Sequence, residues 1–302
     1  IVEGEAGQRI DNFLMSRLKG LPRSRVYRLL RRGEVRVNRG RVQPTYRIQA
    51  GDTVRIPPIR LEAPSASAAP AAATRDFLLG RIIHEDRHLI VIDKPAGMAV
   101  HGGSGLSFGV IEALRAARRD CHYLELVHRL DRDTSGCLLI ARRRSYLRSL
   151  HELLRENRVE KRYLALVQGH WGLGRTRLEH RLETTRGEGG ERYVRVGPEG
   201  KRSASRVAPV ELNRAASLLE VTLETGRTHQ IRVQLAAEGH PIAGDERYGD
   251  PEFNRRLRAR GLKRMVLHAH AVAFDDPVSG EPRLFSAPLP DDLRTVVDRV
   301  IR

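Results

Sequence analysis

Cysteine, aromatic residues and long apolar runs are all scarce in this chain. Two cysteines, Cys121 and Cys137, are too few for a disulfide framework and fit a reducing compartment. Neither stands in a zinc-ligand spacing. No run of about 18 apolar residues exists, so no membrane-spanning helix is expected. The first residues, IVEGEAGQRI, lack the charged-then-apolar order of a secretory signal. The chain opens on Ile1 rather than Met, and a short leader is expected ahead of it. The glycine-rich Gly102-Gly103-Ser104-Gly105 has neither the lysine of a P-loop nor the full dinucleotide fingerprint, and reads as a turn. There is no G-x-S-x-G motif, no zinc-deaminase His/Cys set, and no repeat at solenoid spacing.

Acidic residues are also in deficit: 37 Asp+Glu stand against 54 Lys+Arg, a net charge of +17. With 302 residues, 40% of them hydrophobic, the chain can build one large core and a small satellite domain. The excess charge points to a polyanionic partner. Its distribution is uneven, because residues 1–60 hold 14 Lys+Arg and 5 Asp+Glu, a net of +9. GC-rich coding accounts for Arg replacing Lys, but not for this clustering.

The segment 61–75, LEAPSASAAPAAATR, is small, Ala/Pro/Ser-rich and aperiodic, so it reads as a flexible linker. It separates a basic head, 1–60, from a body, 76–302. In the head, Ile10, Phe13, Leu14 and Leu18 have helical spacing, with Gly20 as a stop. A second helix is predicted from Pro22, in the first turn, to Arg32, with Gly33 just past its end. Arg25, Arg28 and Arg32 share one face of it. That face is either a solvated helix surface or, given the head's charge, a nucleic-acid contact, and the charge favours the second. Short strands around Val35–Val37 and Thr53–Ile56 complete the head.

In the body, strands are predicted at Leu89–Ile92, Leu124–Val127, Cys137–Ile140, Tyr163–Val167, Leu218–Leu223 and Met265–Phe274. Helices are predicted at Ser145–Glu156 and Thr228–Ala237, the latter capped by Thr228 and stopped by Gly239. The fold class is α+β: a small helix-helix-strand head and a large domain with a mixed, mainly antiparallel sheet.

Three clusters in the body can carry chemistry. The loop 128–136, HRLDRDTSG, offers two carboxylates, hydroxyls and two arginines between two apolar strands, which hold it rigidly. Its basic residues favour an ionised Asp, able to act as nucleophile or base. The alternative is a strand connection rich in turn residues. The second cluster is Thr225–Arg232, in which His229 and Arg232 are three apart on one helical face, and Arg232 can reach back to a buried carboxylate. The third is Glu160–Ala165, where Tyr163 either stacks on a base or packs in the core. His268 and His270, two apart on a strand, point one way and are half of a metal site with no third ligand, so no metal is expected.

Taken together, VHRLDRDTSGCLLIAR, VIDKPAGMAVHGGSG, EKRYLALVQG and ETGRTHQIRVQL followed by GHPIAGDERYG resemble, in order, the pseudouridine synthases that modify ribosomal and transfer RNA. The basic head resembles the S-four type RNA-binding module often fused in front of them. The resemblance implies the pseudouridine synthase fold and isomerisation of uridine to pseudouridine in 23S rRNA, with no cofactor. The alternatives are another rRNA or tRNA site, or an assembly factor that has lost catalysis. It implies that Asp131 is the catalytic aspartate, that Tyr163 stacks on the target base, and that Arg232 pairs with the aspartate. Arg129 would fill the gap left by the flipped uridine. His128, Arg227 and His229, and Arg25, Arg28 and Arg32 of the head, would contact RNA, and Asp133 would be structural. The implied partners are 23S rRNA or large-subunit assembly intermediates, not a membrane, and the implied state is a cytoplasmic monomer. One departure is Gln234, where the family usually has His, so contacts near the site are expected to differ.

Overall fold

A computed structural model describes residues 1, 5–18, 21–59, 70–102, 108–186 and 192–301. Gly20, most of the predicted linker, and Gly103-Ser104-Gly105 lie outside the described residues. The chain divides into two compact units, Ile1–Ala69 and Pro70–Arg302.

The first unit contains α1 (Ile10–Arg17), α2 (Arg23–Arg32) and the antiparallel pair β1 (Arg36–Val37) and β2 (Val54–Arg55). Helical spacing brings Ile10, Phe13 and Leu14 of α1 against Val26, Leu29 and Leu30 of α2, all buried. Pro22 stands at the N-cap of α2, one place earlier than expected, and Gly33 ends the helix at φ 69°, a conformation that glycine adopts without strain. Arg25, Arg28 and Arg32 are exposed.

The second unit begins with α3 (Ala72–Leu79), β3 (Ile82–Glu85), β4 (Leu89–Lys94), α4 (Val110–Ala117), β5 (Glu125–Leu126) and β6 (Ser135–Ala141). It continues with α5 (Arg144–Arg155), β7 (Glu160–Gln168), β8 (Thr176–Arg186), β9 (Arg192–Val196), β10 (Lys201–Leu212) and β11 (Ala216–Leu223). It ends with α6 (Gln230–Ala237), α7 (Pro251–Arg258), β12 (Leu267–Asp275), β13 (Pro282–Ser286) and α8 (Asp291–Ile301). Helix α3 corrects the linker prediction, which ran to residue 75. Alanine is the strongest helix former, and burial of Leu78 secures the helix.

One 11-stranded sheet runs β3-β4-β6-β12-β7-β11-β10-β8-β9, with β13 beside β12 and β5 beside β6. Among these pairs only β6 and β12 run parallel. The centre is buried on both faces, which the alternation of β4 makes visible. Ile90 and Ile92 pack with α4 residues Val110 and Leu114. Leu89 and Val91 face α5 residues Tyr146 and Leu150 on the other side. Each such side chain contributes about 1.5–3 kcal/mol.

The parallel contact positions the polar loop. Ser135 and Gly136 open β6 opposite His268 and Ala269 of β12. A Cβ on Gly136 would stand 2.3 Å from the Ala269 carbonyl oxygen, and φ is +109°, so only glycine fits. Residues 128–134 are thereby held at the end of the sheet beside β7.

Candidate active site

A cavity of about 460 Å³ opens where the loop before β6, strand β7 and the turn into α6 converge. His128, Arg129, Asp131, Tyr163, Arg227, His229 and Arg232 all line it, so the site residues expected in the body come together. Arg25, Arg28 and Arg32 belong to the first unit, where they are exposed on α2.

The loop is fixed from within. The Thr134 N–H donates to the Asp131 carbonyl at 3.2 Å, closing a turn. Behind it, Lys94 is fully buried and its ammonium donates to the carbonyls of Pro95 (2.7 Å), Met98 (2.8 Å) and Arg132 (2.9 Å). Burial pushes this lysine down to about 7, against the pull of Asp133 and Asp131. Sequence reading missed Lys94, whose DKPAG context signals only a strand end. His128 accepts the Leu139 N–H on Nε2 at 3.2 Å. Burial and the Lys161 charge push it down to about 4, so it is a neutral ring at neutral pH. Asp133 pairs with its neighbour Arg132 at 3.2 Å. Arg129 is exposed at the rim.

Asp131 is held by Arg232 of the second cluster and neighboured by His229. Arg232 Nη1 donates to Asp131 Oδ2 at 3.2 Å. The rest of the guanidinium is engaged from behind: Nε and Nη2 donate to Asp245 Oδ2 and Oδ1 at 2.7 and 2.8 Å. This bidentate fork fixes the plane of the group and leaves one edge for Asp131. Burial lowers the Arg232 pKa, but Asp245 and Asp131 outweigh it and raise it above the ordinary value. The Asp245 side chain is 0% exposed and also accepts the N–H groups of Arg247 and Tyr248. Burial opposes its ionisation, yet Arg232 and these N–H groups hold it below the usual carboxylate range.

His229 stands beside Asp131. It stands at the N-cap of α6 with φ 53°, a left-handed conformation that costs a non-glycine residue. Tyr248 Oη accepts the Val194 N–H at 3.1 Å and is hydrogen-bonded to His229 Nδ1 at 2.8 Å. The other ring nitrogen, Nε2, faces Asp131 Oδ1 at 3.9 Å. Burial lowers the His229 pKa against the pull of Asp131.

The expected Thr228 cap is corrected by this geometry. The N-cap is His229, without a side-chain cap, and Gln230 braces the turn ahead of the helix: Oε1 accepts the Arg227 N–H and the Thr225 hydroxyl at 3.0 and 2.7 Å. Its Nε2 donates to the Ala204 carbonyl of β10 at 3.0 Å, which ties the turn to the sheet. Gln234 is fully buried beneath α6, where its Oε1 accepts the Ser205 hydroxyl at 2.7 Å. The departure from the family pattern therefore concerns helix-to-sheet packing and not the cavity lining.

Tyr163, 6% exposed, is both core and cavity wall. Burial and the charge of Asp131 raise its phenol, which stays neutral. His268 and His270 separate instead of sharing a site. His268 bonds Ser135 Oγ and the Ala287 carbonyl, whereas His270 bonds Glu220, across an irregular stretch of β12. No cluster able to hold a metal occurs among the described residues.

The RNA pseudouridylate synthase family matches residues 88–237, and the S4 domain matches residues 8–54. The chain is 52% identical over 307 residues to the ribosomal large subunit pseudouridine synthase C of Escherichia coli O157:H7, covering 99% of this chain and 95% of that protein. It is 50% identical to the protein of the same name from Pasteurella multocida, covering 98% and 91%. The solved structure of human RNA pseudouridylate synthase domain containing 1 superposes with a TM-score of 0.57 at 27% identity, over 68% of this chain and 82% of that one. The chain thus belongs to the RNA pseudouridylate synthase family, with an S4 domain in its first unit.

Proposed function

We propose that this enzyme isomerises uridine to pseudouridine in 23S rRNA, with Asp131, Tyr163 and Arg232 as its catalytic residues. The observation that carries the assignment of roles is the chain of contacts Asp245–Arg232–Asp131, which aims one carboxylate into the cavity that Tyr163 lines. The large-subunit relatives support the substrate.

The reaction breaks the bond between N1 and the ribose C1′ and forms one between C5 and C1′. C5 loses a proton and N1 gains one, so the atoms balance without a co-substrate. The target base must first leave its stack, at a cost of a few kcal/mol. Arg129 at the rim fills the gap, and His128, Arg227 and His229 contact the RNA around the site. Asp131 attacks the sugar or the base, or removes a sugar proton. Each route needs one carboxylate in one orientation, which Arg232 provides. Tyr163 holds the detached uracil on its face. As a neutral phenol, it takes the C5 proton only by passing its own on.

Arg25, Arg28 and Arg32 of the S4 domain bind phosphates without reading sequence. The enzyme works as a cytoplasmic monomer on 23S rRNA or on large-subunit assembly intermediates. Tritium release from 23S transcript carrying 5-tritiated uridine tests the reading. Asp131→Asn should abolish release while keeping most RNA affinity, and substantial turnover by that variant would sink the role.

A further inference from the structure

Two lysines of the catalytic unit are withdrawn from solvent, and they differ in one respect. Lys94 gives its three protons to three carbonyls. Lys161, on β7 and lining the cavity, meets no hydrogen-bond acceptor and no carboxylate among the described residues. Its ammonium points at the turn after β11, where a Cβ added to Gly226 would stand 4.0 Å from Nζ. Its charge is felt by His128, which it helps hold neutral. Burial alone lowers its own pKa. A half-buried ammonium with no partner is costly, and such groups are normally paired.

We propose that Lys161 binds the phosphodiester of the flipped target nucleotide, a substrate-positioning contact that rests on the reading of the cavity given above. The placement follows from β7. Lys161 and Tyr163 are two apart and share a face of the strand, about 6.6 Å from each other along it. Exposure rises from Tyr163 through Lys161 to Glu160, so Lys161 lies on the outward side of the ring. A nucleotide with its base on Tyr163 and its ribose at Asp131 carries its phosphate outward, to the level of Lys161. A phosphate supplies a full negative charge, whereas a uracil carbonyl leaves the ammonium uncompensated. Arg129, Arg155 and Arg227 are exposed and the guanidinium of Arg232 is committed to Asp245 and Asp131, whereas Lys161 lines the wall with its charge uncompensated.

Two measurements on the full-length enzyme test this. In tritium release from 23S transcript, Lys161→Gln should lower kcat/KM by about tenfold to a hundredfold, mostly through KM. The slope of log kcat/KM against log salt should become shallower by about 0.7–0.9, one phosphate contact. Lys161→Arg should keep the wild-type slope and recover part of the activity. In the free protein, Lys161→Met should raise the melting temperature, because it removes an uncompensated charge. An unchanged salt slope in Lys161→Gln overturns the phosphate contact, and a lowered melting temperature in Lys161→Met overturns the premise that the charge is unpaired. Absence of tritium release by the wild type would refute the reaction instead, and leaves the melting test standing.

Discussion

Asp245→Asn is the perturbation that best separates holding the fold from aiming the catalytic group. Asp245 touches no part of the cavity, and its side chain is 0% exposed against an Arg232 that is 12% exposed. The asparagine keeps the shape and one oxygen for the N–H groups of Arg247 and Tyr248, but turns an amide donor toward the guanidinium. Breaking a buried pair from one side costs about 3–5 kcal/mol. For a unit of this size each kcal/mol lowers the melting temperature by roughly 2–4 °C, so a fall of about 6–20 °C is expected. Arg232 Nη1 then loses its fixed direction toward Asp131 Oδ2, now 3.2 Å away. A charge-assisted hydrogen bond is worth about 1.5–3 kcal/mol, which translates to about tenfold to a hundredfold in kcat. Tritium release at saturating transcript, well below the variant's melting temperature, reads kcat, and a thermal melt reads stability. A lowered melting temperature with kcat within twofold of wild type would refute the reasoning, since Asp245 would then support only the fold.

Two further outcomes follow from the same contacts. His268, fully buried and pushed down to about 4 by burial, binds fewer protons folded than unfolded below about pH 6.5. Its contribution, about 3 kcal/mol, is present above pH 6.5 and is lost as pH falls through 4. Melting temperature should therefore drop less steeply across that window in His268→Asn than in wild type, and equal slopes would contradict it. Replacing Arg25, Arg28 and Arg32 together by Gln should weaken binding of 23S transcript and reduce the log–log salt slope by about 2–3. Filter binding across a salt series checks this, and an unchanged slope would mean that this face is only solvated.

The parts of the site that local chemistry announces were legible in the sequence. Asp131 stands in a dense polar loop between apolar strands, and His229 and Arg232 stand at helical spacing, so both clusters could be read. Asp245 could not, because it lies 13 residues beyond Arg232 in a glycine-rich turn where nothing local marks a buried carboxylate. The long strands β8 and β10 were equally hidden. Their outward positions are charged and pair across strands, as in Arg202–Glu179, or along one strand, as in Arg177–Glu179, which masks the inward Leu178 and Leu182. Thr228 had the right residue type for a cap, but the N-cap falls on His229, one residue later, where Gln230 ties the turn to β10, a long-range contact that propensity does not see.

The most direct test of the account is a single comparison of wild type and Asp131→Asn on 23S transcript carrying 5-tritiated uridine, with filter binding in parallel. The account predicts release by wild type, none by the variant, and dissociation constants within a few-fold of each other. Sustained release by Asp131→Asn would contradict it, because the isomerisation would then not depend on the carboxylate that Arg232 holds in place.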